Sequence, residues 1–341
     1  MTARPRFAVL LPLIGDTFRQ ANASGITAMM LTVTAVCTLL CLSVTISGDV
    51  PLHDKDETVY FLPTAPESAA NAGYAIADQQ RSRSEGIETV RGRATLAFGL
   101  VSFPMSRERR DSVHFLETIL AGGIAGTFGL LLALVWTAGF LPNFLDPGSA
   151  SVLIAKPVSR QGLLINKYFS VLAFVGLQVT LFVGLTWLGL GVRTRVWDAA
   201  YLWCIPLLLL QFAVFYGFSV LLAVATRSTV ACVFGSVLFW LLSWGINYGS
   251  VMAHGLGDSK AVPGPALVLT DAAYWISPKP IDAALVLFNT LDAGKDFEKP
   301  VAFRFLESRK AYSPTASVVS TLLLAAVLLA ISTYEFKATD Y

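Results

Sequence analysis

The chain has 341 residues, of which 55% are hydrophobic and 14% charged, against about 45–50% apolar and about 25% charged residues in soluble globular proteins. With a mean hydropathy of +0.62, this composition excludes an ordinary water-soluble domain. The formal net charge of +2 also excludes the strongly basic surface that a nucleic-acid partner would require.

The charges are unevenly spread. Residues 20–48, 118–145, 168–192, 199–226, 228–257 and 311–334 contain no Asp, Glu, Lys or Arg. At 14% charge a random stretch this long would carry about three or four charges, whereas crossing ~30 Å of hydrocarbon takes roughly 20 apolar residues. Six such intervals predict six spanning helices. Barrel strands are excluded because they would be ~10 residues long with alternating polarity, and these intervals are continuously apolar.

In chain order, residues 1–24 predict an N-terminal amphipathic interfacial helix. Phe7, Leu10, Leu11, Ile14 and Phe18 recur at helical spacing beside Arg4, Arg6 and Arg19. Pro12, Gly15, Asp16 and Arg19 break the run and no small-residue cleavage site follows, so the segment reads as mature sequence and not as a signal peptide. Spans are expected at 25–48, 119–141, 168–192, 199–226, 228–253 and 313–333, with a tail at 334–341. Lys and Arg in the short connections set the orientation. Arg4, Arg6, Arg19, Lys156, Arg160, Lys167, Arg227 and Lys337 fall on the side of the termini, against Arg193 and Arg195 on the other. Both termini are therefore expected in the cytoplasm, the protein lying in the cytoplasmic (inner) membrane. Trp187, Trp203, Trp240 and Trp244 then fall toward the outer ends of their helices, where an aromatic belt belongs.

Two longer segments, 49–118 and 254–312, are left outside. In the first, β-branched and aromatic residues at 58–62 and 95–103 predict short strands around the polar stretch 79–93, and residues 107–111 read as a solvated helix start. In the second, Pro263, Gly264 and Pro265 precede an apolar stretch at 272–291 that Ser277, Pro278, Lys279, Pro280 and Asp282 interrupt. It is too broken to span and predicts a short interfacial or re-entrant helix.

The spans hold no ionisable side chain away from their ends, which argues against an ion-driven pump and against an embedded enzyme. Their most polar residues, Gln178, Gln211 and Asn247, suit interhelical hydrogen bonds. Gly122 with Gly126 and Gly245 with Gly249 lie four apart on one helix face and are expected to allow close helix packing. Cys37, Cys41, Cys204 and Cys232 all fall in apolar intervals and read as small buried hydrophobes. His53, His114 and His254 are scattered singly, so no metal site is expected from them. No P-loop, HExxH, G-x-S-x-G or Cys-x-x-Cys pattern occurs. The chain is expected to carry no catalytic residue and no cofactor, and its energy source must lie elsewhere.

The densest signal lies at 142–167. Asp146 and Ser149 are good helix starters, Val152, Leu153 and Ile154 form a short apolar core, and Pro157 ends the helix. A second short helix then leads into the third span. Such a compact helix-turn-helix suits docking of a cytoplasmic partner.

This segment resembles the coupling region of type-2 (exporter) ABC transporter permeases. The family pattern is a Gly-Thr-Leu-like start, an apolar run, Pro-Val-Ser-Arg, then a Leu-Leu-x-Gly-Lys-like passage into the next helix. Gly148 and Ser149 match the start, Pro157-Val158-Ser159-Arg160 the centre, and Leu163, Leu164 and Lys167 the end, with Asn166 standing where Gly is usual. The layout of an interfacial helix, six spans, a tight turn at Thr226, Arg227 and Ser228 and a broken helix before the last span is similar as well. The resemblance implies an all-α permease subunit paired with a second permease copy, as homodimer or heterodimer. It implies a separate ABC ATP-binding subunit that supplies ATP and Mg and docks on this region. Lys156 and Arg160 would offer charged contacts, and Val152 and Ile154 would fill the ATPase groove. The alternative is a non-transporting membrane scaffold that anchors an extracytoplasmic complex.

Overall fold

The computed structural model describes residues 10–47, 92–105, 109–145, 160–257, 264–291, 300–308 and 313–338. It is an all-α membrane protein in which six helices are long and apolar enough to cross a bilayer: Ile26–Ser43, Ser112–Leu145, Gln161–Thr194, Ala199–Thr226, Thr229–His254 and Pro314–Ala338. An even number of spans brings the start of the first and the end of the last to one end of the bundle. The first nine residues, the 58–62 strand expectation and the 146–159 coupling segment lie outside the described residues.

Helix α1 (Leu10–Ala23) turns into α2 (Ile26–Ser43) at Gly25, whose φ of 74° is left-handed. Pro12 sits in the first turn of described α1, where a missing N–H leaves no helical bond unmade. The face α1 buries differs from the one the spacing indicates: Leu13, Thr17 and Ala21 are buried, while Leu11 is 79% exposed. An interfacial helix that also packs on the bundle has two partners. The i, i+4, i+8 stripe meets protein, with the half-buried Phe18 set edge-on to Phe174 beside it, and Leu11 faces away.

The first span ends at Ser43, earlier than expected, because the β-branched Thr45 and Ile46 pass into strand β1 (Thr45–Ser47). Strand β1 pairs antiparallel with β2 (Gly92–Leu96), and β2 with β3 (Val101–Met105). The stretch 95–103 thus forms a hairpin and not one strand. Its turn forces Ala97, Phe98 and Gly99 to positive φ (53°, 57° and 95°).

The second span begins at Ser112 and not at 119. It runs from α3 (Arg109–Thr118) through a π-helical stretch (Ile119–Gly129) into α4 (Leu130–Thr137), then past a turn at Ala138 and Gly139 into α5 (Phe140–Leu145). The third span is the unbroken α6 (Arg160–Thr194). A 3₁₀ turn (Ala199–Trp203) starts the fourth, α7 (Cys204–Thr226), and the fifth is α8 (Thr229–Gly257). The broken helix before the last span resolves into α9 (Gly264–Ile276), α10 (Pro280–Thr290) and α11 (Val301–Ser308), and α12 (Pro314–Ala338) closes the bundle.

Helix α7 is the centre, packing on α12, α8 and α6. Phe212, Phe215, Tyr216, Val220 and Val224 fill the interior, with Tyr216 stacked on Tyr168 and Phe212. Lipid is as apolar as these side chains, so contact density and not expulsion from water holds the helices together. Gly189 shows the consequence: a Cβ there would lie 3.2 Å from Cys41 Cβ, so α2 and α6 touch almost backbone to backbone. Hydroxyls inside the spans need partners. Thr34, Thr137, Thr186, Ser243, Thr321 and Ser332 each donate to the carbonyl four residues back.

Candidate functional site

The two described flanks of the coupling segment meet at Lys167. Its side chain is fully buried, two turns into α6. Its three N–H bonds have three acceptors: Nζ donates to Asp16 Oδ2 at 3.1 Å, Thr17 Oγ1 at 3.2 Å and Gln20 Oε1 at 3.2 Å, all on α1. Nζ also lies 5.2 Å from the ring centroid of Phe144 on α5. One ammonium therefore ties the helix before residues 146–159, the helix after them and the N-terminal helix. Arg160 is the first residue of α6, while Asp146, Gly148, Ser149, Val152, Ile154, Lys156 and Pro157 lie outside the described residues.

The small-residue pairs separate into two kinds. In the π-helical stretch a Cβ on Gly126 would lie 2.9 Å from Ala121 O and 3.5 Å from Leu208 Cδ2, and one on Gly122 would lie 3.9 Å from Leu287 Cδ2. These glycines serve packing within the chain. Gly245 and Gly249 have nothing within 4 Å and open, beside the exposed Leu238, Leu241 and Tyr248, on the outer face of α8.

Asn247, on the other side of α8, donates from Nδ2 to Pro278 O at 2.8 Å. That carbonyl lies at the break between α9 and α10. Close by, the buried Asp282 carboxylate accepts from Tyr274 Oη at 2.5 Å and from Ser317 Oγ, and Lys279 Nζ donates to Ser320 Oγ at 2.5 Å. The Lys279 ammonium lies 5.0 Å from the Tyr274 ring centroid and 4.5 Å from that of Trp275. Burial pushes Lys279 below the ordinary lysine range, and the Asp282 charge opposes the shift. Gln211 lines a small cavity with Lys279 and Asp282. Gln178 faces a larger, apolar groove of about 120 Å³ bordered by Met30, Thr34, Phe128, Trp136 and Phe212, and its buried Oε1 has no hydrogen-bond partner among the described residues.

Sequence reasoning missed a third polar cluster. His114 and Glu117, one turn apart on α3, meet Asp198 in the turn between the third and fourth spans, their ligating atoms all within 4.8 Å of one another. The His-x-x-Glu spacing just before the second span was the available signal. Asp198, 84 positions beyond His114, was not visible.

No curated protein matches the chain. The family described as ABC-2 family transporter protein matches residues 9–341, a range that takes in the N-terminal helix, all six spanning helices and the broken helix before the last span. By that match and by its six spans, the chain is a multi-pass membrane protein that belongs to the ABC-2 family of transporter permeases.

Proposed function

We propose that the chain is the permease subunit of an exporter in the cytoplasmic membrane, driven by a separate ATP-binding subunit that docks on residues 144–167. The observation that carries this reading is the convergence of α5, α6 and α1 on Lys167. A partner pressing on the intervening segment pushes on three helices joined at one point. ATP and Mg reside in the partner. ATP binding draws two ATPases together, and the segment passes the movement into the spans as alternating access. Both termini face the cytoplasm, as the distribution of Lys and Arg supports. A second permease copy seats on the α8 face, where Gly245 and Gly249 allow close approach.

Co-purification with candidate ATP-binding subunits tests the reading, with ATP hydrolysis and export measured in reconstituted vesicles. Arg160→Glu or Gly148→Trp is expected to abolish association and to lower permease-dependent hydrolysis at least tenfold. Unchanged association and turnover in both variants would sink the docking claim. Association without ATP-dependent export would favour the scaffold.

A further inference from the structure

We propose that His114, Glu117 and Asp198 form a binding site for a divalent cation of the zinc class, at the end of the bundle opposite the termini. Three ligands come from two elements. His114 and Glu117 share one face of α3 at i and i+3, and Asp198 caps the 3₁₀ turn that starts the fourth span. The cap divides the work of the Asp198 carboxylate. Oδ1 accepts from Ala200 N–H at 2.9 Å, leaving Oδ2 to face His114 Nε2 at 3.6 Å. Trp187 Nε1 donates to the Asp198 carbonyl at 2.8 Å and fixes the turn from behind, the kind of outer support metal ligands need.

The second observation is Glu117 itself. Only 1% exposed, it holds Oε2 buried with no hydrogen-bond partner among the described residues. A buried polar atom without a partner is costly. A divalent cation resolves the charge: with neutral imidazole, two carboxylates and one dication sum to zero. Protons held by His114 or Glu117 leave to water on binding. The donor set selects the ion. One imidazole nitrogen with two carboxylates suits zinc, whereas calcium and magnesium take all-oxygen shells. Zinc ligands at about 2.0–2.2 Å sit roughly 3.3–3.6 Å from each other, so the side chains close by about 1 Å on the ion. Three protein ligands leave a fourth position for water or an exogenous group.

The test is zinc chloride titrated into the full-length chain in detergent micelles after chelator treatment, against a chromophoric chelator and with metal content read by mass spectrometry. One zinc per chain is expected, raising the unfolding temperature. Glu117→Gln and His114→Gln should each weaken binding at least 100-fold and remove the thermal shift. Should Glu117→Gln fail to fold, His114→Gln decides. Absence of bound zinc in the wild type, or equal affinity in the folded variants, overturns the site. Magnesium binding as tightly as zinc overturns the ion class. The readout needs no ATPase, so it stands or falls apart from the export reading.

Discussion

Two buried polar sites, at opposite ends of the bundle, handle the same problem in opposite ways. At Lys167 a fully buried ammonium has three donors and three acceptors, all from α1. At Glu117 an equally buried carboxylate keeps one oxygen without a hydrogen-bond partner among the described residues, beside His114 and Asp198. The satisfied site is internal architecture, tying three helices together. The incomplete site is built for something the chain does not itself supply. Replacing the buried ammonium at the first should therefore destabilise strongly, and removing Glu117 at the second should not.

The largest effect is expected from Lys167→Glu, which sets a carboxylate beside Asp16 in a space shaped for a cation. A loss of about 3–5 kcal/mol, read as a collapse of the folded fraction on detergent size-exclusion chromatography, would fit. A folded, wild-type-like protein would break the comparison. Next comes Asp282→Ala, which strips the acceptor from Tyr274 and Ser317 and leaves Lys279 buried without its neighbouring charge. About 2–4 kcal/mol should be lost in thermal unfolding. Asp16→Asn should cost less, about 1 kcal/mol, because its carboxylate is more than half exposed and solvent screens the pair. Glu117→Met without added metal sharpens the contrast, with stability expected to be unchanged or higher by about 1 kcal/mol, since an apolar isostere relieves a buried charge. A drop of several kcal/mol would show that Glu117 is structural after all. The smallest change is expected from Gly245→Cys. Stability should stay within about 0.5 kcal/mol, while oxidation in membranes yields a disulfide-linked dimer on a non-reducing gel.

The spans were legible because a charge-free interval of 24 residues or more has one ready explanation, and all six appear as helices. The break at Pro278 and Pro280 was legible for a similar reason, since proline leaves backbone groups that another chain segment must satisfy. Asn247 does so. Span ends were harder. Val44, Thr45 and Ile46 are as apolar as the helix before them, and only pairing with a strand almost 50 positions later shows that they leave it. His114 and Glu117 fell outside the charge-free interval although α3 continues straight into the span. Lys167 was legible as the last element of a motif. Its bonds to Asp16, 151 positions earlier, were not. Pairings of that separation depend on how α1 lies against α6, which neither spacing nor composition encodes.

Helix α6 has a mechanical consequence. A span of 34 residues is about 50 Å long at 1.5 Å per residue, well beyond the hydrocarbon thickness, and no proline interrupts it. It behaves as a stiff lever with no hinge of its own. At its near end Lys167 grips the N-terminal helix. At its far end Arg193 donates to Val44 O at 2.9 Å and to Thr45 Oγ1 at 2.7 Å. Tilting such a rod by about 5° carries one tip roughly 4 Å past the other, so a displacement at the Lys167 end would reach the turn bearing Asp198.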